Sequence, residues 1–211
     1  MQAQGIYDSV FQADVKKMPF PDGYFDIVFS TDVLGHIPSE EKDEVLSEVF
    51  RVTRRGGFSI HSFECDSESL LFRWAKAYPE LYQKYFVEMY GHFGLEMYET
   101  ACRRFKNIGF SPISESPDAT KGYLRGVSSF IVFFDNEYKD KFTIIKIIVT
   151  TCRLFSIHRI IRSMVDFTLG LFVPLANLIT PKNHRDSLKV IYRKPSICQS
   201  MGDKVGRGKE H

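Results

Sequence analysis

Cysteine is scarce and scattered. The four thiols, Cys65, Cys102, Cys152 and Cys198, form no C-x-x-C pair. That spacing excludes a zinc knuckle, gives no ground to expect a metal, and points to reduced thiols in a cytoplasmic protein. Net charge is nearly absent as well: 28 Lys and Arg stand against 26 Asp and Glu, a formal +2. A polyanionic partner is therefore not indicated. The apolar run over 167–179 is too short to span a bilayer, and Pro174 breaks it. The opening residues, Met1-Gln-Ala-Gln-Gly-Ile-Tyr-Asp, carry no basic segment ahead of an apolar run, so no secretory signal is read there. Internal repeats are lacking too.

What is present suffices for one domain with a substantial core: 211 residues, 44% of them hydrophobic. The basic excess gathers over 189–209 together with Gly202, Gly206 and Gly208. Without aromatic residues between the charges, that stretch reads as a solvated, disordered tail over 196–211 rather than a nucleic-acid arm.

Residues 9–13 (SVFQA) can form a short strand, and Met18-Pro19-Phe20-Pro21-Asp22-Gly23 forces a turn after it. Residues 25–31 (FDIVFST) are nearly continuously apolar, as expected for a parallel strand covered on both faces. Pro38-Ser39-Glu40-Glu41 opens a helix that Ser39 is placed to cap, with Val45, Leu46, Val49 and Phe50 on one face. Gly56-Gly57 is expected to stop it. Residues 58–63 alternate as a strand. Strand, turn, strand, helix, strand in this order predicts a parallel α/β sheet. Residues 67–90 suggest one or two helices over the carboxyl edge of that sheet. A helix over 96–107 ending at Gly109, a strand over 110–115 and a closing strand over 187–193 follow. Between the last two, residues 123–181 are unusually apolar but interrupted by Arg153, His158, Arg159 and Arg162. They form either a helical cap that buries a second core or an amphipathic face lying on a membrane or gripping a lipid tail.

The informative set is Ala13-Asp14-Val15, Pro19-Phe20-Pro21-Asp22-Gly23, Phe25-Asp26, Ser30-Thr31, Val33-Leu34-Gly35-His36 and Arg54-Arg55-Gly56-Gly57. In order and spacing it resembles the central motifs of class I S-adenosylmethionine-dependent methyltransferases, in particular the broad ubiquinone/menaquinone C-methyltransferase-like group. The resemblance is dense over 13–57 and weak beyond. It implies a Rossmann-like sheet and S-adenosylmethionine as cofactor. It also implies that the Asp14 carboxylate and the Val15 backbone N–H meet the adenine, the alternative for Asp14 being a turn cap. Ser30 and Thr31 leave their strand at its carboxyl end, where open α/β sheets bind ligands, and would line the methionine part. His36, at the same rim, is either a general base toward the acceptor or a structural histidine. Gly35 stands where the family often has Glu. His61 and His92 could also face the cleft.

Such enzymes also resemble one another in a G-x-G-x-G loop after the first strand. Here the sole G-x-G is Gly206-Arg207-Gly208, in the tail. The expected fold is thus an α/β, Rossmann-like class I methyltransferase sheet lacking its first strands, with open apolar faces and edge. The expected partition is a partial core over 1–122, an apolar helical cap or insertion over 123–186, a closing strand over 187–195 and the tail. The expected function is methyl transfer to a small-molecule or lipid-linked acceptor. The alternative is a truncated, non-catalytic binding or membrane-peripheral module. The expected place is the cytoplasm, with peripheral membrane contact through 123–181 and no nucleic acid.

Overall fold

The computed structural model describes residues 7–118, 131, 134–172, 175 and 178–196. Beyond position 196, the tail and its G-x-G lie outside the described residues.

The chain enters as β1 (Phe25–Thr31), crosses through α1 (Lys42–Val52) and returns as β2 (Thr53–Glu64), parallel to β1. After a helical segment come α4 (Tyr98–Ile108), β3 (Ser111–Asp118) and, at the end, β4 (Ser187–Arg193). β4 inserts antiparallel between β2 and β3, giving a mixed sheet in the order β1-β2-β4-β3. The α/β expectation holds, but among the described residues only the β1–β2 pair is parallel.

Side chains alternate across each strand. Val28, Phe63, Leu188, Val190 and Tyr192 point to the face that α1 and α4 cover, where they meet Val45, Leu46, Val49, Ala101 and Phe105. Phe105 stacks on Tyr192 with ring centroids 4.6 Å apart. The other face carries Ile27, Phe29 and Phe58, exposed by 54%, 66% and 36%. β1 was expected to be covered on both faces. It is instead an end strand, and both packing helices lie on one side, so its apolar run faces outward among the described residues.

Local sequence explains three other departures. Residues 9–13 form no strand: Val10 and Phe11 are exposed, and only an isolated bridge links Asp14 to Lys17. Ser39 does not cap α1. The Glu41 N–H bonds the Pro38 carbonyl in a turn, and the cap position falls to Glu41, with no side chain capping the helix. α1 then starts at Lys42, with Asp43 and Glu44 in its first turn and Arg51 in its last, as the helix dipole favours. Gly56-Gly57 does not stop α1 either. The helix ends at Thr53, whose hydroxyl donates to the Val49 carbonyl at 2.6 Å and whose backbone is already extended. The glycines form a bulge inside β2, where the pairing jumps from Phe25 with Thr53 to Ile27 with Phe58. Gly56 has φ +77°, and a Cβ on Gly57 would stand 2.7 Å from the Asp26 carbonyl oxygen. Gly109, at φ +111°, ends α4 as expected.

A second core lies beyond β2. It joins α2 (Leu70–Lys76), α3 (Pro79–Tyr82) and a π-helical turn (Gln83–Glu88) to α5 (Glu137–Lys141) and α6 (Thr143–Ser156), and α7 (Arg159–Leu171) follows outside it. Phe72, Ala75, Phe86, Phe134, Tyr138, Ile145 and Val149 are buried in it around Trp74. Residues 72–86, ahead of the expected boundary at 122, thus pack with 134–149. Both ends of this unit are tied at the carboxyl end of β2. The Cys65 N–H donates to the Asp186 carbonyl at 2.8 Å, and the Glu68 N–H to that of Asn183 at 2.9 Å.

Candidate active site

The loop ahead of β1 is held from α1. Arg51 donates to the Phe20 carbonyl and the Asp22 carboxylate, both at 2.8 Å, to the Met18 carbonyl at 3.2 Å and to Glu48 at 2.7 Å. Glu48 in turn accepts the Met18 N–H at 2.6 Å, and the guanidinium holds its carboxyl below the usual range. Arg51 therefore does more than complement a helix dipole: it fixes Met18-Pro19-Phe20-Pro21-Asp22 beside the sheet. On this loop Asp14 is exposed, and its carboxylate accepts the Lys16 N–H at 2.9 Å. Val15 is 42% exposed.

At the carboxyl end of β1 the two expected ligand residues part ways. Thr31 is exposed. Ser30 turns to the covered face, where its hydroxyl lies 2.6 Å from His61 Nδ1. His61 Nε2 is 2.6 Å from the Ser59 hydroxyl. Neutral imidazole has one donor and one acceptor nitrogen, so it satisfies both serines. His61 is 2% exposed, and burial pushes its pKa down to about 4. It is a structural link and does not face the cleft.

Asp32 follows with φ +54°, a left-handed conformation uncommon outside glycine, and its N–H donates to the Ser62 carbonyl at 2.7 Å. This turn swings the chain across the end of β2 to His36. His36 Nδ1 lies 3.0 Å from the Gly91 carbonyl oxygen. A carbonyl only accepts, so in the neutral ring Nδ1 carries the proton and Nε2 keeps its lone pair. The His92 ring stands 5.0 Å away, centroid to centroid, and burial together with the His36 charge lowers its pKa. Glu64, the last residue of β2, completes the rim. His36, Glu64 and His92 each offer a donor atom within 4.8 Å of the other two, a set chemically able to take a divalent cation.

Packing holds this rim in place. The Gly94 N–H donates to the Gly35 carbonyl at 3.1 Å, and a Cβ on Gly94 would overlap the Ile37 carbonyl. Beneath, buried Lys42 donates to the Gly94 carbonyl and lies 3.7 Å from Glu96, which Arg104 grips with both Nε and Nη2. Burial pulls the Lys42 ammonium below its ordinary pKa against the attraction of Glu96. A Cβ on Gly35 would meet the Glu64 carboxylate at 3.4 Å. The position that often carries Glu in the resembling family is thus backed here by a glutamate from the neighbouring strand.

Of the residues expected from the sequence, Asp14 and Val15 share the anchored loop, and Thr31 and His36 share the carboxyl rim. Sequence reasoning missed Arg51, Asp32 and Glu64, and left His92 without a partner. The Ser59-x-His61 alternation was a readable sign that both share a face. Nothing in the spacing of residues 36, 64 and 92 announces that they meet.

Residues 2–61 match the methyltransferase-domain family. The chain is 38% identical over 65 residues to a sterol 24-C-methyltransferase of Gibberella zeae, covering 29% of this chain and 17% of that protein. It is 43% identical over 54 residues to the ubiquinone/menaquinone biosynthesis C-methyltransferase of Burkholderia cenocepacia, covering 26% of this chain and 21% of that one. The matches thus span about a fifth of the length of these curated relatives. The chain is also similar to the solved structure of phosphoethanolamine N-methyltransferase 2 from Haemonchus contortus in complex with S-adenosyl-L-methionine. There the TM-score is 0.49 at 17% identity, covering 87% of this chain and 36% of that one. Through the motifs within residues 2–61, the chain is similar to the methyltransferase-domain family and to these C-methyltransferases.

Proposed function

We propose that this chain supplies the adenine side and the carboxyl edge of an S-adenosylmethionine-dependent methyltransferase site, and that the acceptor is a small molecule or a lipid-linked one. The observation that carries the reading is the ordered motif set over 13–57, folded so that Thr31 and His36 reach one rim at the carboxyl ends of two parallel strands. The exposed Asp14 carboxylate and exposed Thr31 fit the polar adenosyl and methionine parts of the cofactor, and Arg51 positions the loop that bears Asp14.

When bound, the cofactor supplies a methyl group on a sulfonium, a leaving group that departs as a neutral thioether. The residues here have two tasks. The rim orients the acceptor, because in-line approach supplies much of the rate. His36 Nε2 takes the proton that an acceptor O–H, N–H or acidic C–H must shed as its new bond to carbon forms. The Gly91 carbonyl holds the tautomer that leaves Nε2 basic.

The curated relatives' names point to sterols and to ubiquinone/menaquinone biosynthesis, which favours an apolar acceptor. The free thiols Cys65, Cys102 and Cys152 suit a reducing, cytoplasmic setting. The test is incubation with methyl-labelled S-adenosylmethionine and sterol, quinone or phospho-base acceptors. Label in an acceptor product is expected. Failure both to bind the cofactor and to transfer label would overturn the reading.

A further inference from the structure

We propose that α6 and α7 form a docking face for an anionic lipid surface, on which the protein lies without crossing it. On α6, Ile144, Ile147, Ile148, Leu154 and Phe155 fall at spacings of three, four and seven residues and make one outward stripe. The opposite side of the same helix is also apolar, but there Ile145 and Val149 are buried in the second core. α6 is therefore anchored on one side and apolar on another. α7 carries a second outward stripe, Ile160, Met164, Phe167 and Leu171, exposed by 75%, 64%, 70% and 63%. No described residue covers either stripe. An apolar surface of this extent marks an interaction site, and two apolar stripes on consecutive helices suit a plane better than a pocket.

Length decides between crossing the membrane and lying on it. The helices have 14 and 13 residues. At 1.5 Å per residue each is about 20 Å long, well short of a hydrocarbon core of about 30 Å. No described helix is long and apolar enough to cross a membrane.

Charge selects the occupant. Over 142–182 the chain carries Lys146, Arg153, Arg159, Arg162 and Lys182 against Asp166 alone, five positive to one negative, or +4. Since the whole chain is +2, the remainder is −2. Arg153 is already engaged by Asp135, so Lys146 and Arg159 are the exposed charges that matter most. Arg159 stands beside Ile160, Ser163, Met164 and Phe167 on the exposed face of α7. A guanidinium beside an apolar stripe matches a phosphate above an acyl chain. A neutral protein partner would need the stripe but not the basic excess.

The proposal stands apart from the methyl-transfer reading, and its test needs no cofactor. The full chain is floated on a density gradient with vesicles of phosphatidylcholine, with and without about 30 mol% phosphatidylglycerol. It should float with the anionic vesicles, several-fold less with the neutral ones, and dissociate as salt rises. The double variant Ile160→Asp, Phe167→Asp should lose the bound fraction about tenfold or more. Both positions are exposed, and Trp74 in the second core reports by fluorescence that the variant is folded. Lys146→Glu with Arg159→Glu should remove the preference for anionic vesicles only. The proposal fails if the parent stays soluble with both vesicle types, or if the aspartate variant floats as the parent does. It also fails if sedimentation shows a dimer that the aspartates dissolve without any vesicle binding, which would assign the face to a second copy.

Discussion

Ser30 and His61 are direct register partners on adjoining parallel strands, and the serine hydroxyl lies 2.6 Å from the imidazole Nδ1. With Ser59 on the other nitrogen, the ring is satisfied only while neutral. Its ordinary pKa of about 6.5 is pushed down to about 4 by burial. Between those values the unfolded chain binds a proton that the folded chain refuses, so stability falls as pH falls. The contribution is fully present above about pH 6.5 and is lost progressively down to pH 4, at most about 3 kcal/mol. Urea unfolding across that range should show the loss. In His61→Gln, which keeps a donor and an acceptor, the slope should be distinctly flatter. An unchanged slope would contradict the neutral-ring reading.

Gly94 should resist replacement. A Cβ there would overlap the Ile37 carbonyl, and Lys42 donates to the Gly94 carbonyl from below. Backbone cannot yield as a side-chain tip can, so Gly94→Ala should cost about 1–3 kcal/mol, read as a lower urea midpoint. The amides of residues 91–94 should lose hydrogen-exchange protection first.

The second core should unfold on its own terms. Tyr138 is fully buried, and its hydroxyl donates to the Ala75 carbonyl at 2.9 Å. Tyr138→Ala should destabilise the helical unit by about 3–5 kcal/mol, and Tyr138→Phe by about 1. Hydrogen exchange should speed up in α2, α5 and α6 of Tyr138→Ala while β2 and β4 stay protected. Equal loss everywhere would show the two cores to be one cooperative unit.

His36→Ala should lower kcat of methyl transfer by about 10²–10⁴, with the KM for S-adenosylmethionine nearly unchanged, because its proposed role is toward the acceptor's proton. His36→Gln should not rescue the rate, since an amide cannot take the proton. Loss confined to the cofactor KM would assign the residue to binding instead.

Much of the core was legible in the sequence because its signals are local. The alternation over 187–193 and the left-handed glycine at 109 mark β4 and the end of α4 without tertiary help. Gly56-Gly57 misled because a glycine pair after a helix suggests a stop equally well as a bulge. Only the meeting with Asp26 across the sheet decides between them. β1 misled for a related reason: an apolar run reports what the strand could bury, not which neighbours are there to cover it. In the candidate site, the motif spacing singled out Asp14, Thr31 and His36. The pairing of His36 with Glu64 and His92 depends on the Asp32 turn and on Gly94 closing against Ile37, contacts between distant segments that leave no periodic trace.

The most direct test of the cofactor side is a titration of the isotopically labelled chain with S-adenosylhomocysteine, followed by amide chemical shifts, which register weak binding. Saturable shifts should concentrate at Asp14, Val15, Thr31 and the residues leading to His36, and Asp14→Ala should weaken them markedly. No saturable shifts at millimolar ligand, or shifts centred on α6 and α7 instead, would contradict a cofactor site at the carboxyl edge of this sheet.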